Sequence, residues 1–594
     1  MKDNRILTII KLSKQAYGRY KPQIIVLTIL GFIGGLLEGI GINALIPLFS
    51  FVMKDDQGPT DKISGYIENI FLYFNVSFNL KYLLIFICLL FIVKAILLVI
   101  FSHIKVKITS DYEAQTRNSL FKATLNASWP YLLKQKLGHL ETILMVDVRR
   151  STTMFERLSG MIMMATSLLI YVIVAINISL NVTLMTLVLG AIIFLLFKPL
   201  MYKTRGAAAK SVKLNKEVTH FVSENILGMK AVKAMHLNDK IITKGKDYFY
   251  YLKKLHIQVY LLLNISRSLL QPISLIFICV VFAISYKTSN FNFATLIAII
   301  YLIERIFQYI QQIQTSLHRI SETVPYLKSV LDYEKTALDN KEKNQNSGQF
   351  NFNNKLEFEN VEFVYNHKQK NILNKINFFI KKGEMIGLIG SSGSGKTTIV
   401  DLILRLFEPT KGKILLDGKD ISQINLKHWR KNIGYVSQDM FLVNDSIVNN
   451  IKFYDNSISN EDVEKAAKMA NIYSFIQSCP DKLNTVIGER GIQLSMGQRQ
   501  RIVIARILAR KPKILIMDEA TSALDNESEV KIQKVIENLK GKITVLVIAH
   551  RLSTVINSDK LLVLENGQIV EQGDAKKLLN DKKSYFYKVY NIRK

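Results

Sequence analysis

Cysteine is scarce: 594 residues hold three, Cys88, Cys279 and Cys479. Two fall in apolar runs and none forms a paired motif, so neither a disulfide framework nor a zinc site is expected. The opening stretch MKDNRILTIIKLSKQAYGRYKPQ has no long apolar core followed by a small-residue cleavage site, so no cleaved signal peptide is read. Its apolar residues alternate with Lys and Arg instead, as in a helix lying on a membrane surface. Internal repeats are lacking, which excludes an array of small units. Acidic residues are also in deficit. Against 78 Lys and Arg stand 48 Asp and Glu, a formal charge of +30 that points to nucleic acid, an anionic membrane surface or acidic ligands.

Apolar residues are what the chain has in excess, at 49% with a mean hydropathy of +0.17, high for a soluble protein of this length. They are unevenly spread. The first 320 residues carry six apolar runs of spanning length, at 24–53, 82–103, 158–178, 182–201, 257–286 and 293–314. The connections after the second and fourth runs are long and rich in Lys and Arg, whereas NISLN after the third is short and uncharged. Positive charge marks the cytoplasmic side, so both termini and both long connections are expected inside. Much of the +30 then follows from membrane topology rather than from nucleic acid. The long connections read as cytoplasmic extensions of the spanning helices. Within them, 127–140 and 223–240 fit either short transverse helices or ordinary helical packing. A polar stretch within 321–354 reads as a linker. From residue 355 onward, short β-rich runs alternate with helical patterns, as in an α/β domain.

Two motifs in that second half carry chemistry. MIGLIGSSGSGKTTIVDLIL is a strand, a glycine-rich turn and a helix, matching G-x-x-x-x-G-K-[ST] at Gly390, Gly395, Lys396 and Thr397. The loop Gly390, Ser391, Ser392, Gly393, Ser394, Gly395 would curl backbone N–H groups around phosphates. Lys396 adds a point charge there, the Thr397 hydroxyl is a Mg²⁺ ligand, and Thr398 follows at the helix start. ILIMDE is a buried strand delivering Asp518 to the site edge to hold Mg²⁺, with Glu519 placed to take a proton from an attacking water.

From residue 355 to the C-terminus, motif order and spacing resemble the nucleotide-binding domain of an ABC transporter, and LSMGQRQ resembles the family signature. The resemblance implies ATP and Mg²⁺ as cofactors. It implies that Tyr365 stacks on adenine and that Gln438 senses Mg²⁺ and the attacking water. Ser495, Gly497 and Gln498 of the signature face nucleotide held by a second subunit, Asp525 bridges subunits, and His550 contacts the γ-phosphate. By the same resemblance, TVIGERG at 485–491 communicates between subunits. Met496 departs from the family pattern, which usually has glycine there.

With six spans ahead of this domain, nearly the whole chain resembles an exporter-type ABC half-transporter. The expected fold is a membrane all-α domain of six transmembrane helices (1–320), a linker (321–354) and an α/β P-loop ATPase domain (355–594). The resemblance implies two chains head to tail, most simply a homodimer, each site sandwiching ATP between Lys396 of one chain and Ser495 of the other. It further implies a multi-pass protein of the bacterial inner membrane with its ATPase domain in the cytoplasm, working on membrane lipids or another amphipathic substrate and not on nucleic acid. The segment LLEGIGINALIPLF at 36–49, and the lack of an added N-terminal peptidase-like domain, resemble exporters that flip lipid-linked oligosaccharides and other anionic glycolipids. Multidrug, lipid A-type and small-peptide exporters are the alternatives, and outside transport an ATP-gated channel or regulator. Ionisable residues inside the spans, Glu38, Lys94, Arg267, Glu304 and Arg305, are candidates for meeting substrate. Ion pairs between helices, for example Glu38 with Lys94, are the competing reading.

Overall fold

A computed structural model describes residues 5–592 apart from 45–46, 49–50, 52–61, 74, 287–292, 344–345, 366–370, 519–524 and 550–551. Some further side chains, that of Arg267 among them, also lie outside the described set. The chain divides into two compact units, Met1–Ala127 with Tyr131–Lys341, and Ser128–Pro130 with Glu342–Lys594.

The first unit is helical. Its main elements are α1 (Arg5–Tyr17), α2 (Lys21–Asn43), α3 (Leu80–Leu125), α4 (Val148–Ile178), α5 (Leu180–Leu227), α6 (Asn238–Tyr286) and α7 (Phe293–Asp339). Helix α3 starts where the Asn79 side chain accepts a hydrogen bond from the Tyr82 N–H, and it runs for 46 residues. At 1.5 Å per residue that is about 69 Å, twice the thickness of a bilayer core, so most of a turn-by-turn register lies beyond the apolar layer. Its apolar part turns Leu84, Ile85, Leu89, Ile92, Ile96 and Val99 outward, a lipid-facing pattern. Small residues let other helices close together. A Cβ on Gly39 of α2 would stand 2.5 Å from Ile170 Cγ2 of α4, so only glycine permits that approach.

Among the described residues, five helical stretches are long and apolar enough to cross a membrane, carrying the first five apolar runs. The sixth run lies on α7, whose first side chains fall outside the described set. Helix α7 does not stop where a linker was read at 321. It continues to Asp339, because Ile320, Val324, Leu327, Leu331 and Ala337 keep a buried helical stripe among polar neighbours. The long connections hold short helices at Trp129–Leu132, Leu137–Thr142 and Met229–Ala234, where 127–140 and 223–240 allowed them.

The second unit is α/β. A four-stranded antiparallel sheet has the order β2 (Leu373–Lys381), β1 (Lys355–Phe363), β4 (Lys411–Leu416), β5 (Lys419–Asp420). A six-stranded sheet runs β10 (Gln568–Gly573), β9 (Lys560–Glu565), β3 (Met385–Gly390), β8 (Thr544–Ile548), β7 (Ile514–Asp518), β6 (Ile433–Val436). All neighbours in the second sheet are parallel except β10 with β9. Strands β7 and β8 are buried along their entire length, with Ile514, Ile516, Leu546 and Ile548 in one core and Leu515, Met517, Val545 and Val547 in another. Burial on both faces is why these runs read as unbroken hydrophobes rather than as alternation.

Candidate nucleotide site

Parallel strands end on the same edge of a sheet. Gly390 closes β3, Asp518 closes β7, and β8 lies between them with Leu388 and Asp518 both opposite Ile548. The strand order therefore brings the glycine-rich loop and the acid to one edge, as the motifs require. After Gly390 the chain turns through 391–395 into helix α8 (Lys396–Ile403). Gly393 and Gly395 take φ of +78° and +109°, a region that side-chain-bearing residues avoid. A Cβ on Gly390 would sit 2.2 Å from the Leu564 carbonyl oxygen, so that position admits no side chain.

The Lys396 ammonium is buried over this loop, donating to the Gly390 and Ser391 carbonyls at 3.0 and 2.9 Å. The first amides of α8 have no acceptor within the helix, and the helix dipole adds positive potential at that end. Ser394 Oγ is buried with no partner among the described residues. A loop of backbone donors, a fixed ammonium and an uncommitted hydroxyl together fit a polyphosphate. Thr397 is exposed in the first turn of α8, while Thr398 is buried and shares a 3.2 Å hydrogen bond with the Tyr365 hydroxyl. The Tyr365 ring, about half exposed, is held edge-on by Phe363 and Phe407 at 4.9 and 5.1 Å. A flat aromatic face so braced suits stacking on a base.

Negative charge gathers on the other side of the loop. Asp518 is buried and accepts from the Tyr435 hydroxyl at 3.4 Å. Burial, and then the charge of Asp518, push the Asp401 carboxyl on α8 up to about 6. Burial and the same charge push the Tyr435 phenol up. Crowded carboxylates of this kind are relieved by a divalent cation. Hard oxygen donors from Thr397 and Asp518 match Mg²⁺, which takes one or two protein carboxylates plus phosphate oxygens and needs no all-protein cage. Among the described residues no cluster of three or more His, Cys, Asp or Glu forms such a cage. Gln438 is exposed just past the end of β6. Glu519 and His550 lie outside the described residues.

The signature begins helix α9 (Met496–Leu508). Ser495 is its N-cap: Ser495 Oγ accepts from the Gln498 N–H at 3.3 Å, and Gln498 Oε1 accepts from the Ser495 N–H at 2.8 Å. The spacing Ser-x-x-Gln announced this reciprocal cap in the sequence. Met496, exposed in the first turn, has none of the positive φ that would demand glycine, so the local backbone does not require glycine there. Gly497 is different, because it lies against Ser528 in helix α10 (Asn526–Leu539). That helix is capped in turn by Asp525, exposed, whose carboxylate accepts from the Ser528 N–H at 3.0 Å. The Ser528 hydroxyl and N–H hold this carboxyl below the usual range.

In the membrane unit, the sequence candidates divide. Glu38 and Lys94 pair at 2.9 Å, and the Tyr309 hydroxyl donates to the same Glu38 oxygen at 2.9 Å. Arg305 donates to the Tyr301 hydroxyl at 2.7 Å and to Gln308 Oε1 at 3.0 Å, with its guanidinium 5.1 Å from the Tyr301 ring centre. Glu304 is exposed and accepts from the Gln308 amide at 2.9 Å. Arg267 lies on α6, its side chain outside the described set. Tyr435 and Asp401 were not singled out in the sequence, since nothing local marks a phenol or carboxyl that only strand order brings beside Asp518.

Residues 24–310 match the family model for the ABC transporter transmembrane region, and 373–522 match that for ABC transporter. The chain is 31% identical over 457 residues to the heterocyst differentiation ATP-binding protein HepA of Nostoc sp., covering 76% of this chain and 74% of that protein. It is 48% identical over 231 residues to the ATP-dependent lipid A-core flippase of Haemophilus influenzae, 39% of each chain. Several other curated relatives match over only 18% to 34% of their own length. A solved bacterial Atm1-family ABC exporter with ATP bound superposes with a TM-score of 0.80 at 22% identity, covering 97% of this chain and 99% of that one. At that identity the match speaks for the fold. With both models matched in sequence order and HepA aligned over most of its length, the chain belongs to the ABC transporters, a multi-pass transmembrane region and an ABC ATPase domain joined in one polypeptide.

Proposed function

We propose that the protein is an ATP-driven exporter that works as a pair of identical chains. In this reading it moves an anionic glycolipid, such as a lipid-linked oligosaccharide, from the inner to the outer side of a bacterial inner membrane, with its ATPase domain in the cytoplasm. The observation that carries it is the pair of separate anion-directed helix starts in one ATPase domain, at Lys396 and at Ser495. Each chain has one of each, and two chains arranged head to tail would complete two sites.

Mg·ATP, when bound, supplies the phosphoanhydride whose hydrolysis drives the cycle. Lys396 and the 390–395 amides would hold and orient the phosphates. Thr397 and Asp518 would hold Mg²⁺, with Gln438 beside it, and Tyr365 would fix the base. Glu519 would take the proton of the attacking water, with His550 at the γ-phosphate. Ser495 and Gln498 of the second chain would close the site, so that binding and hydrolysis bias the membrane helices between two openings.

The substrate class rests on three supports. The segment at 36–49 resembles glycolipid flippases. The aligned Haemophilus protein bears the name lipid A-core flippase. Helix α5 carries Lys198, Lys203, Lys210 and Lys213, all exposed, with no acid between 198 and 216, a surface that attracts anionic headgroups. The test is purified protein in liposomes, assayed for ATP-dependent flipping of a fluorescent lipid-linked oligosaccharide beside a cationic dye. Flipping that needs ATP and disappears in Glu519→Gln supports the proposal. Flipping that persists in Glu519→Gln, or that carries only the dye, overturns it.

A further inference from the structure

A cavity of about 260 Å³ lies where α1 and the turn after it, Gly18–Tyr20, meet the parts of α3 and α7 beyond their apolar runs. That is too small for a whole lipid and enough for a headgroup. Tyr112, Gln115, Thr116 and Ser119 of α3 form one wall at i, i+3, i+4 and i+7, a single helix face. Arg19 and Tyr20 come from the turn and Glu334 from α7; apart from Ala16 and Leu331, every lining side chain carries a polar atom. The α1 side is braced. The Tyr17 hydroxyl donates to the Ser151 carbonyl of α4 at 2.7 Å, and its ring centre stands 4.9 Å from that of Tyr112 and 5.1 Å from that of Phe155.

One cation and one anion line the cavity, Arg19 and Glu334, and each is held by a neutral side chain of α3 rather than by the other. Arg19 donates to Gln115 Oε1, and Glu334 Oε1 accepts from the Ser119 hydroxyl at 2.5 Å. A guanidinium has further N–H donors for an anion, and a carboxylate has a second oxygen for a cation. Gln115 and Ser119 are four residues apart, so the two charges are anchored about 6 Å apart along α3. Their order matters. Ser119 is the farther of the two from the apolar run that ends at 103, so Arg19 sits on the membrane side of Glu334. Arg19 also precedes the first apolar run, at 24, by five residues, about 8 Å of helix, which is the depth of a headgroup layer. A phospholipid presents its phosphate next to the acyl chains and any amine beyond it, in this same order. Guanidinium suits phosphate, and the Tyr20 and Tyr112 phenols add donors beside it. A headgroup with no amine would bring its negative charge to Glu334 without a cation, and a trimethylated amine has no N–H to donate there.

We propose that this cavity binds the phosphoethanolamine headgroup of a phospholipid in the cytoplasmic leaflet. Arg19 holds the phosphate, with the two phenols beside it, Glu334 takes the ammonium, and the acyl chains stay in the bilayer next to α1. The bound lipid ties α1 to α3 and α7 and is not cargo. The site therefore needs the membrane orientation of the chain but neither the exporter reading nor its substrate.

Equilibrium binding to the full-length protein in a neutral detergent, without nucleotide, tests the site apart from the motor. The probes are dihexanoyl phosphatidylethanolamine, dihexanoyl phosphatidylcholine, dihexanoyl phosphatidylglycerol and free phosphoethanolamine. The ethanolamine lipid should bind about tenfold or more tightly than the other three. Glu334→Gln, which keeps an oxygen for Ser119, should bring the ethanolamine lipid down to the level of the choline lipid and leave the glycerol lipid no weaker. Arg19→Gln should weaken all three lipids about tenfold, and Arg19→Lys should restore most of that loss. The lysine variant and the Glu334→Gln series decide the matter even if Arg19→Gln fails to fold, because each compares lipids on one folded protein. Equal affinity for the three lipids in the parent, an ethanolamine preference that survives Glu334→Gln, or free phosphoethanolamine binding as tightly as the lipid would overturn the proposal.

Discussion

Gly497 and Ser528 touch so closely that a Cβ on the glycine would come within 2.3 Å of the serine Oγ. Two helix starts meet there, the signature helix capped by Ser495 and α10 capped by Asp525. Gly497→Ala should force them apart, costing about 1–3 kcal/mol by overpacking and lowering ATP turnover. Met496→Gly, one residue earlier and exposed, should cost at most about 1 kcal/mol. Thermal unfolding and ATPase rates of the two variants check this ordering, and equal effects would contradict it.

If Lys396 of one chain shares a site with Ser495 of the other, mixed pairs report it. Lys396→Ala on one chain and Ser495→Ala on its partner put both lesions in one site and leave the other complete. Both changes on the same chain spoil both sites. The first pairing should retain occluded nucleotide and the second should lose it, as read by photo-crosslinked ATP analogue. The reverse order would mean that each chain closes its own site.

Glu38 and Lys94 form a pair with side-chain exposures of only 9% and 19%. Removing one partner leaves the other charge buried, so Glu38→Leu or Lys94→Met alone should destabilise by about 3–5 kcal/mol, and the double variant should recover much of that loss. Apparent unfolding midpoints of the four proteins complete the cycle. Additive losses would show that the two side chains are uncoupled.

Asp401 should make the isolated effect of pH visible in metal-free buffer. Its carboxyl ionises near 6 in the folded protein against about 4 in an unfolded chain. The folded state then holds more protons between those values, so this group lowers stability as pH rises from about 4 to 6 and leaves a constant penalty above. Asp401→Asn should therefore be more stable than the parent at pH 7.5, with the difference fading below about pH 4. A difference that grows on acidification would reverse the assignment.

The phosphate loop, the acid strand and the α/β alternation were legible because each is a local pattern: glycines at fixed spacing, an apolar run ending in Asp518, strands punctuated by helices. What escaped depends on phase or on distance. The continuation of α7 past 320 is a helical period of buried residues, hidden while that stretch was read as linker. Buried Val324, Leu327 and Leu331 carried the helical signal through that stretch. Tyr435 and Asp401 reach Asp518 only through the order in which β6, β7, β8 and β3 lie side by side. The pairing of Glu38 with Lys94 was legible as one of two readings, and packing of α2 against α3 brings the two side chains to 2.9 Å.

Ser495 spends its oxygen on holding the helix start together, accepting from Gln498, and so keeps its hydroxyl proton to give away. An arriving anion can take that proton's hydrogen bond without unfastening the turn. The clasp is set before the guest comes, so in the proposed pair of chains little of their attraction would be diverted to ordering this corner, and more of it would remain to draw them together.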